Sequence, residues 1–316
     1  MLFISNISCF AVSNYNQKIY NFKYSHSKWN GKKFDALIFE GGGTRAVVYS
    51  GALRKLEEEN MTNNINSISG TSSGAQTAAL LCVGYNSTDL ECILRKAPWD
   101  KILNGNIFNI KCIYLLLNKF GLNNGKYLEK YLDELIYLKS GSRQLTFIEL
   151  YNKTKIHLKI GVCSLTDQEF KYIDHISYPD MPISIGLRAS SSIPFIFSRT
   201  KWKDELFIDG GLIGNLPITS FPKKKCLAFT LSSKNEYDFQ IKKNPKNIFG
   251  FIRVILSILF RNVQKNYSSE NKCYDNIDYI QINTDDIGIL EKNMSNDTIN
   301  KLINHGYNAV NDFLNN

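Results

Sequence analysis

Residues 35–74 read DALIFEGGGTRAVVYSGALRKLEEENMTNNINSISGTSSG, and the same order of elements occurs twice in this stretch. A short apolar run at 35–40 ends in glycines and is followed by apolar residues at helical spacing over 45–59. A second short run, 65–69, stops at the next glycine and precedes a small-residue helix at 74–84. Short buried strands that alternate with helices are typical of a parallel sheet covered by helices on both faces.

The rest of the chain continues this alternation. Further strands are predicted at 155–163, 169–175, 205–208, 225–231 and 278–282, and helical segments at 100–153, 182–190 and 298–314. We therefore predict an α/β fold of three layers, α/β/α, with a mostly parallel central sheet. Because no long linker or internal repeat occurs, we expect one domain at 35–316 and an N-terminal appendage at 1–34, with a strand candidate at 18–26.

The amino-acid composition is that of a globular protein without a zinc-binding cysteine cluster. The 316 residues are 43% hydrophobic and 21% charged, which is ordinary for a globular chain. The net charge of +9 favours anionic partners in general, although scattered lysines define no site by themselves. The seven cysteines are dispersed, with no CxxC pair and no Cys/His cluster. We therefore expect reduced thiols and no structural zinc.

The sequence also bears on location. The first residues lack a basic segment, and polar residues interrupt their apolar stretch, so we expect no cleaved secretory signal. No run of about 18 apolar residues occurs, so we predict no helix that spans a bilayer. These features favour a soluble or peripheral membrane protein of the cytoplasm, and they leave delivery to another cell open.

The turn Gly41-Gly42-Gly43-Thr44-Arg45 joins a predicted strand to a predicted helix. Glycines leave the backbone N–H groups uncovered, and the helix start adds further unpaired N–H groups, so the turn is suited to an anion or an oxyanion. Extended to Ala46, it also matches the dinucleotide pattern GxGxxA. That pattern requires an acidic residue near the end of the next strand, and the run 65–69 has none. A tight turn without a ligand remains a third interpretation.

Gly70-Thr71-Ser72-Ser73-Gly74 also lies between a strand and a helix, and it matches the nucleophile-elbow pattern GxSxG. In such an elbow the serine hydroxyl is exposed at a sharp turn, and a side chain at either glycine would collide with the neighbouring elements. An activated serine needs a base. Asp209, followed by Gly210, ends a predicted strand and is the candidate, although Asp-Gly is also an ordinary turn sequence.

Histidine is the usual base, and the chain has four. His26 precedes the first core strand, and His157 and His175 lie in strand candidates. His305 follows Ser72 and Asp209 in the order of an α/β-hydrolase triad, but it lies inside a helical pattern. A triad with His305 and a non-catalytic nucleotide-binding protein both stay open as alternatives.

Taken together, these motifs resemble the patatin-like phospholipase family. The matching motifs are GGGxR at 41–45, GxSxG at 70–74 and DGG at 209–211, and the segments 188–197 and 211–217 match as well. The resemblance covers about residues 35–232. It implies a patatin-like fold and a lipid acyl hydrolase that needs no metal and no cofactor. The implied partners are phospholipid or another acyl ester and a membrane surface, with no nucleic acid.

The resemblance also implies roles for individual residues. Ser72 would attack the ester, and Asp209 would take its proton without a histidine. The implied oxyanion hole is the glycine turn of Gly41, Gly42 and Gly43, and the supporting residues are Arg45, Gly70, Gly74 and Gly210. Ala46 stands where the family often has glycine, a small departure at a helix start.

The segment 247–261, NIFGFIRVILSILFR, is apolar on nearly every helical face. Lysines flank it at 242, 243, 246 and 265. It is too short to cross a membrane. The sequence is consistent with a buried helix of the fold or with an interfacial element that contacts an anionic membrane.

Overall fold

The computed structural model describes residues 31, 33–104, 116, 118–232, 254–255, 258, 274–285 and 287–315. Two predictions therefore fall outside the described part of the chain: the strand candidate at 18–26 and, apart from three isolated positions, the apolar segment 247–261.

A central sheet organises the described residues. Its strands are β1 (Ala36–Phe39), β2 (Ser67–Thr71), β4 (His157–Ser164), β5 (Glu169–Ile173), β7 (Thr200–Trp202), β8 (Glu205–Asp209), β9 (Cys226–Ser232) and β10 (Ile277–Asn283), while β3 (Gly121–Asn123) and β6 (Phe195–Phe197) form a separate two-stranded sheet. The order across the central sheet is β10-β9-β1-β2-β4-β8-β7, and β5 pairs with β4. The pairs from β10 to β4 are parallel, and those of β5, β7 and β8 are antiparallel.

Helices connect and cover these strands. They are α1 (Val48–Glu58), α2 (Ser73–Cys82), α3 (Ser87–Lys96), α4 (Trp99–Asn104), α5 (Lys126–Ser140), α6 (Phe147–Thr154), α7 (Ile183–Ser190) and α8 (Asn296–Asn315). A short 3-10 helix, Gly43–Val47, leads from the glycine turn into α1. The predicted three-layer α/β/α fold with a mostly parallel sheet is confirmed.

The sheet and its helices share one apolar core. The ring of Phe39 on β1 stacks on Phe229 of β9, with centroids 5.1 Å apart and planes at 8°. Tyr49 of α1 meets the edge of Phe39 at 5.1 Å and donates a hydrogen bond from its hydroxyl to the Glu40 carbonyl. Burial of these apolar side chains is the main stabilising contribution to such a core. The packing of the rings holds β1 and α1 in place, and with them the glycine turn that joins the two elements.

The structure corrects two predictions of local structure. Strand β2 does not stop before Gly70 but continues through it to Thr71, since β4 pairs with both residues. The segment 100–153 is not uniformly helical, because strand β3 lies within it.

The core also includes the residue before the first strand region. Phe34 is buried and packs against Phe313 of α8.

Candidate active site

Ser72 stands alone between β2 and α2, at the sharp turn that the sequence predicted. Its φ is 54° and its ψ is −123°, a conformation that costs energy for a residue with a side chain. The two flanking glycines make the turn possible. A Cβ on Gly70 would collide with the backbone of Gly74, and a Cβ on Gly74 would collide with the Phe39 and Glu40 carbonyls. The packing of β1, β2 and α2 therefore holds the strain in place.

Ser190 supports this turn through a contact that no local pattern in the sequence indicates. The Ser72 N–H donates to the Ser190 hydroxyl over 2.8 Å, and that hydroxyl donates to the Gly161 carbonyl over 2.7 Å. Ser190 is fully buried at the end of α7. A side chain from a different helix thus fixes the strained peptide to strand β4, which restricts the direction of the Ser72 side chain.

Asp209 ends β8 and reaches Ser72 because β8 runs antiparallel beside β4, where it pairs with Val162. The Ser72 hydroxyl donates to Asp209 Oδ2 over 2.8 Å, and the Gly211 N–H donates to Oδ1 over 2.8 Å. The carboxyl is 1% exposed. This burial raises the pKa of Asp209 to about 7, although both hydrogen bonds act in the opposite direction. A Cβ on Gly210 would meet the Gly161 carbonyl, so this close approach needs glycine.

The glycine turn lies beside Ser72, and two of its three amides have acceptors. The Gly41 N–H donates to the Asn215 carbonyl over 3.1 Å, and the Gly42 N–H donates to the Ser73 hydroxyl over 2.9 Å. Among the described residues no acceptor occurs for the Gly43 amide, and Gly43 has a φ of 58° that favours glycine. The Gly43 amide is therefore available to bind an oxyanion directly. The Gly42 amide becomes available only when the Ser73 hydroxyl moves aside.

Arg45 contacts the turn itself. Its Nε donates to the Gly42 carbonyl over 3.3 Å. This bond ties the start of the 3-10 helix to the peptide that precedes Gly43. The contact is consistent with a structural role for the guanidinium, since it orients the backbone of the turn.

Glu40 and Asn215 form a second set of hydrogen bonds that holds the glycine turn, and the sequence did not predict this pair. The Asn215 amide donates from Nδ2 to Glu40 Oε1 and to the Gly41 carbonyl, both over 2.9 Å. Glu40 Oε2 accepts the Leu231 N–H over 2.7 Å. Glu40 is buried, so its charge is compensated by these donors. The only signal in the sequence was the position of Asn215 inside the segment 211–217.

No imidazole of the described residues lies within hydrogen-bonding distance of Ser72 or Asp209. The His305 ring lies on α8 with its Nδ1 3.0 Å from the Asn283 carbonyl. His157 pairs with Asp174 over 3.0 Å at the opposite end of β4. His175 stacks on Tyr151, and His26 lies outside the described part of the chain.

An apolar pocket opens beside the turn and continues away from Ser72. The polar end includes Gly43, Ser72 and Ser73. The rest is built mainly from helices and from the β6 segment, with Leu80, Leu90, Ile93, Leu94, Trp99, Ile102, Leu103, Leu128, Tyr131, Leu132, Leu135, Ile193, Phe197 and Leu290 among the lining residues. A hydroxyl at the end of an apolar pocket matches a ligand with one polar reacting group and a long apolar part.

Two further properties concern metals and membranes. Across the described ranges, no group of three or more His, Cys, Asp and Glu side chains is arranged to hold a metal ion. The helices described are all too short or too polar to cross a bilayer.

Comparison with known proteins identifies the class. A model of the patatin-like phospholipase family matches residues 37–222, which include the elbow, the glycine turn and Asp209. The chain belongs to the patatin-like phospholipase family and is therefore a lipid hydrolase.

Two relatives match most of the chain. An uncharacterised protein of Acanthamoeba polyphaga mimivirus is 30% identical over 254 residues, which are 79% of this chain and 83% of the relative. A probable lipid hydrolase of Invertebrate iridescent virus 6 is 29% identical over 254 residues, with 80% of this chain and 79% of the relative covered.

Solved structures share the fold. VipD from Legionella pneumophila superposes with a TM-score of 0.60 at 18% identity, over 90% of this chain and 67% of VipD. The type III effector protein ExoU gives a TM-score of 0.52 at 14% identity, over 90% of this chain and 53% of ExoU. At these identities the likeness extends to the fold alone.

Proposed function

We propose that the protein hydrolyses carboxylic ester bonds of phospholipids through a Ser72–Asp209 dyad and an acyl-enzyme. The observation that carries the proposal is the 2.8 Å hydrogen bond from the Ser72 hydroxyl to the buried Asp209 carboxyl. A carboxyl in direct contact with the nucleophile acts as its base without an intervening imidazole. The membership of the phospholipase family supports the choice of substrate.

In the first half of the reaction, Ser72 Oγ forms a bond to the ester carbonyl carbon and its proton passes to Asp209. The carbonyl electron pair moves onto oxygen, and the Gly43 amide donates to that oxyanion. The Gly42 amide joins it once the Ser73 hydroxyl has turned away. Each donor of this kind typically contributes about 100- to 1,000-fold in rate. Collapse re-forms the carbonyl, and the lipid oxygen leaves with the proton from Asp209.

In the second half, water attacks the acyl-enzyme and gives a proton to Asp209. The new oxyanion occupies the same donors. Its collapse breaks the bond to Ser72 Oγ, which takes the proton back and releases a free fatty acid. Asp209 thus accepts and returns one proton in each half, and a pKa of about 7 suits both directions near neutral pH.

The apolar pocket is the proposed site of the acyl chain. Its lining is almost entirely apolar, and its polar end holds the reacting serine. Burial of the chain removes apolar area from water, which stabilises the complex by about 0.8 kcal/mol for each methylene buried. The pocket therefore favours long acyl esters over short ones.

We also propose that residues 35–316 act as one hydrolase domain that contacts membranes peripherally. The glycine turn, the elbow and Asp209 come from strands of one central sheet, and α8 packs on α1 over the same core.

A fluorophosphonate probe tests the nucleophile, because it reacts covalently with an activated serine. We expect mass spectrometry of the labelled protein to place one adduct on Ser72, and the Ser72→Ala variant to remain unlabelled. His305→Ala is the control for the triad, and it should label at the wild-type rate. An unlabelled wild type would leave only the nucleotide-binding alternative, and loss of labelling in His305→Ala would favour the triad.

A further inference from the structure

Two exposed phenylalanines lie side by side on the small sheet of β3 and β6. Phe120 is 59% exposed and Phe195 is 41% exposed. The Phe195 N–H donates to the Phe120 carbonyl over 3.3 Å, and Phe195 pairs with Gly121 in the register of the sheet. The backbone of the small sheet therefore holds the two residues next to each other at the surface.

Both residues adopt a left-handed backbone conformation. The φ of Phe120 is 59° and that of Phe195 is 66°. Bulky side chains rarely adopt this region, whereas asparagine and glycine do so at little cost. Two adjacent phenylalanines with strained backbone and exposed rings contribute little to folding, and such strain is characteristic of functional surfaces.

The charge beside the pair is positive. Lys119 precedes Phe120 directly, and the Arg199 guanidinium carbon lies 4.8 Å from the centroid of the Phe120 ring. Within the described ranges, no carboxylate lies within ion-pairing distance of either cation. Lys119 is exposed, whereas Arg199 is half-buried and its Nη1 lies buried with no hydrogen-bond partner among the described residues. Exposed apolar rings beside cations are complementary to an anionic membrane surface, where headgroups meet acyl chains.

The pair is also close in sequence and space to the apolar pocket. Ile193 and Phe197 line the pocket, and each is two residues from Phe195. Phe197 and Ile193 pack together in one small cluster with Leu290, which lines the pocket as well. A membrane that contacts Phe195 therefore lies next to the pocket that contains Ser72.

We propose that Phe120 and Phe195 insert into an anionic phospholipid bilayer while Lys119 and Arg199 contact its headgroups. This inference builds on the proposed phospholipid hydrolysis, since it describes how the pocket meets its substrate. Insertion brings the pocket against the bilayer, so that one acyl ester passes to Ser72 without crossing water. The small sheet presents both rings at the surface, where 59% of Phe120 and 41% of Phe195 are exposed and available to the acyl chains of the bilayer.

The test compares vesicle binding with hydrolysis of a soluble ester. The double variant Phe120→Asn/Phe195→Asn suits the left-handed backbone, so its Tm should equal or exceed that of the wild type. In flotation with phosphatidylcholine/phosphatidylglycerol vesicles, we expect its affinity to fall at least roughly fivefold for each ring removed. Hydrolysis of a soluble short-chain nitrophenyl ester should stay at the wild-type rate.

Ile176→Asn is the matched control. Ile176 is 72% exposed, but it follows β5 near the start of β4, at the opposite end of the sheet from Ser72. It should bind vesicles as the wild type does. Wild-type binding in the double variant, an equal loss in Ile176→Asn, or a wild type that binds no vesicles would overturn the membrane proposal. A wild type that binds vesicles but cleaves neither lipid nor soluble ester would instead overturn the proposed function.

Discussion

At the scale of residues, the proposed role of Asp209 as base predicts how the reaction depends on pH. Its pKa is raised to about 7, and only the ionised carboxylate accepts the proton of Ser72. We therefore expect kcat/KM on a soluble ester to rise with pH through about 7 and to level off above it. A profile that is flat from pH 5 to 9, measured with a non-ionising substrate, would contradict Asp209 as the base.

The same shift has the opposite effect on stability. Because the native pKa lies above the ordinary value of 3.8, the folded state binds the proton more tightly than the unfolded state. The contribution is present below pH 3.8 and is lost as pH rises to about 7. Asp209→Asn removes this dependence, so its Tm should rise relative to wild type as pH increases over that range. Its activity should fall by at least about 100-fold.

Ser73 offers a second test at this scale, because its hydroxyl accepts the Gly42 N–H over 2.9 Å. In the proposed mechanism the Gly42 amide must leave that hydroxyl to reach the oxyanion. Ser73→Ala frees the amide in advance, so we expect kcat to stay equal to wild type or to rise by up to roughly tenfold. A large loss of kcat with unchanged Tm would show that the hydroxyl itself takes part in binding the oxyanion.

At the scale of elements, α5 forms one wall of the apolar pocket. Leu128, Tyr131, Leu132 and Leu135 recur at helical spacing and all line it. Leu132→Phe enlarges a side chain on that face, so long acyl chains should lose space before short ones. We expect kcat/KM for a long-chain ester to fall roughly tenfold while a short-chain ester is little affected.

Leu138→Phe on the same helix is the matched control, since Leu138 is exposed and does not line the pocket. The ratio of long-chain to short-chain rates should stay at the wild-type value in that variant. An equal ratio in Leu132→Phe would show that the acyl chain lies elsewhere.

Some of the strands and helices could be predicted from the sequence, and others could not. The motif-bearing strands β1 and β2 and the helices after them were predictable, because short apolar runs ended by glycines are local signals. Strands β3 and β6 were not, since each has three residues and pairs across a long separation in sequence. Residue pairs such as Ser72 with Ser190 form only once the tertiary structure is complete, so no local pattern indicated them.

At the scale of the whole molecule, the elbow and its candidate base come from distant parts of the chain. Ser72 and Asp209 are 137 residues apart, and they meet because β8 lies beside β4 in the same sheet that carries β2. The resemblance of the three motifs predicted the pair, whereas the residues alone left His305 open. His305 instead lies on α8 with its ring Nδ1 within hydrogen-bonding distance, 3.0 Å, of the Asn283 carbonyl.

At the scale of the whole molecule, Phe34 is buried in the core and packs against Phe313. The packed core therefore begins at least one residue before the proposed domain boundary at residue 35.

Phospholipid cleavage by Ser72 is the central step of the proposed function. Purified wild type and Ser72→Ala are incubated with a mixed phospholipid extract, and the lipid products are quantified by mass spectrometry. We expect free fatty acid and lysophospholipid from the wild type and a loss of product of at least about 1,000-fold in Ser72→Ala, whose Tm should be preserved. Product release by Ser72→Ala at the wild-type rate would contradict the proposed function.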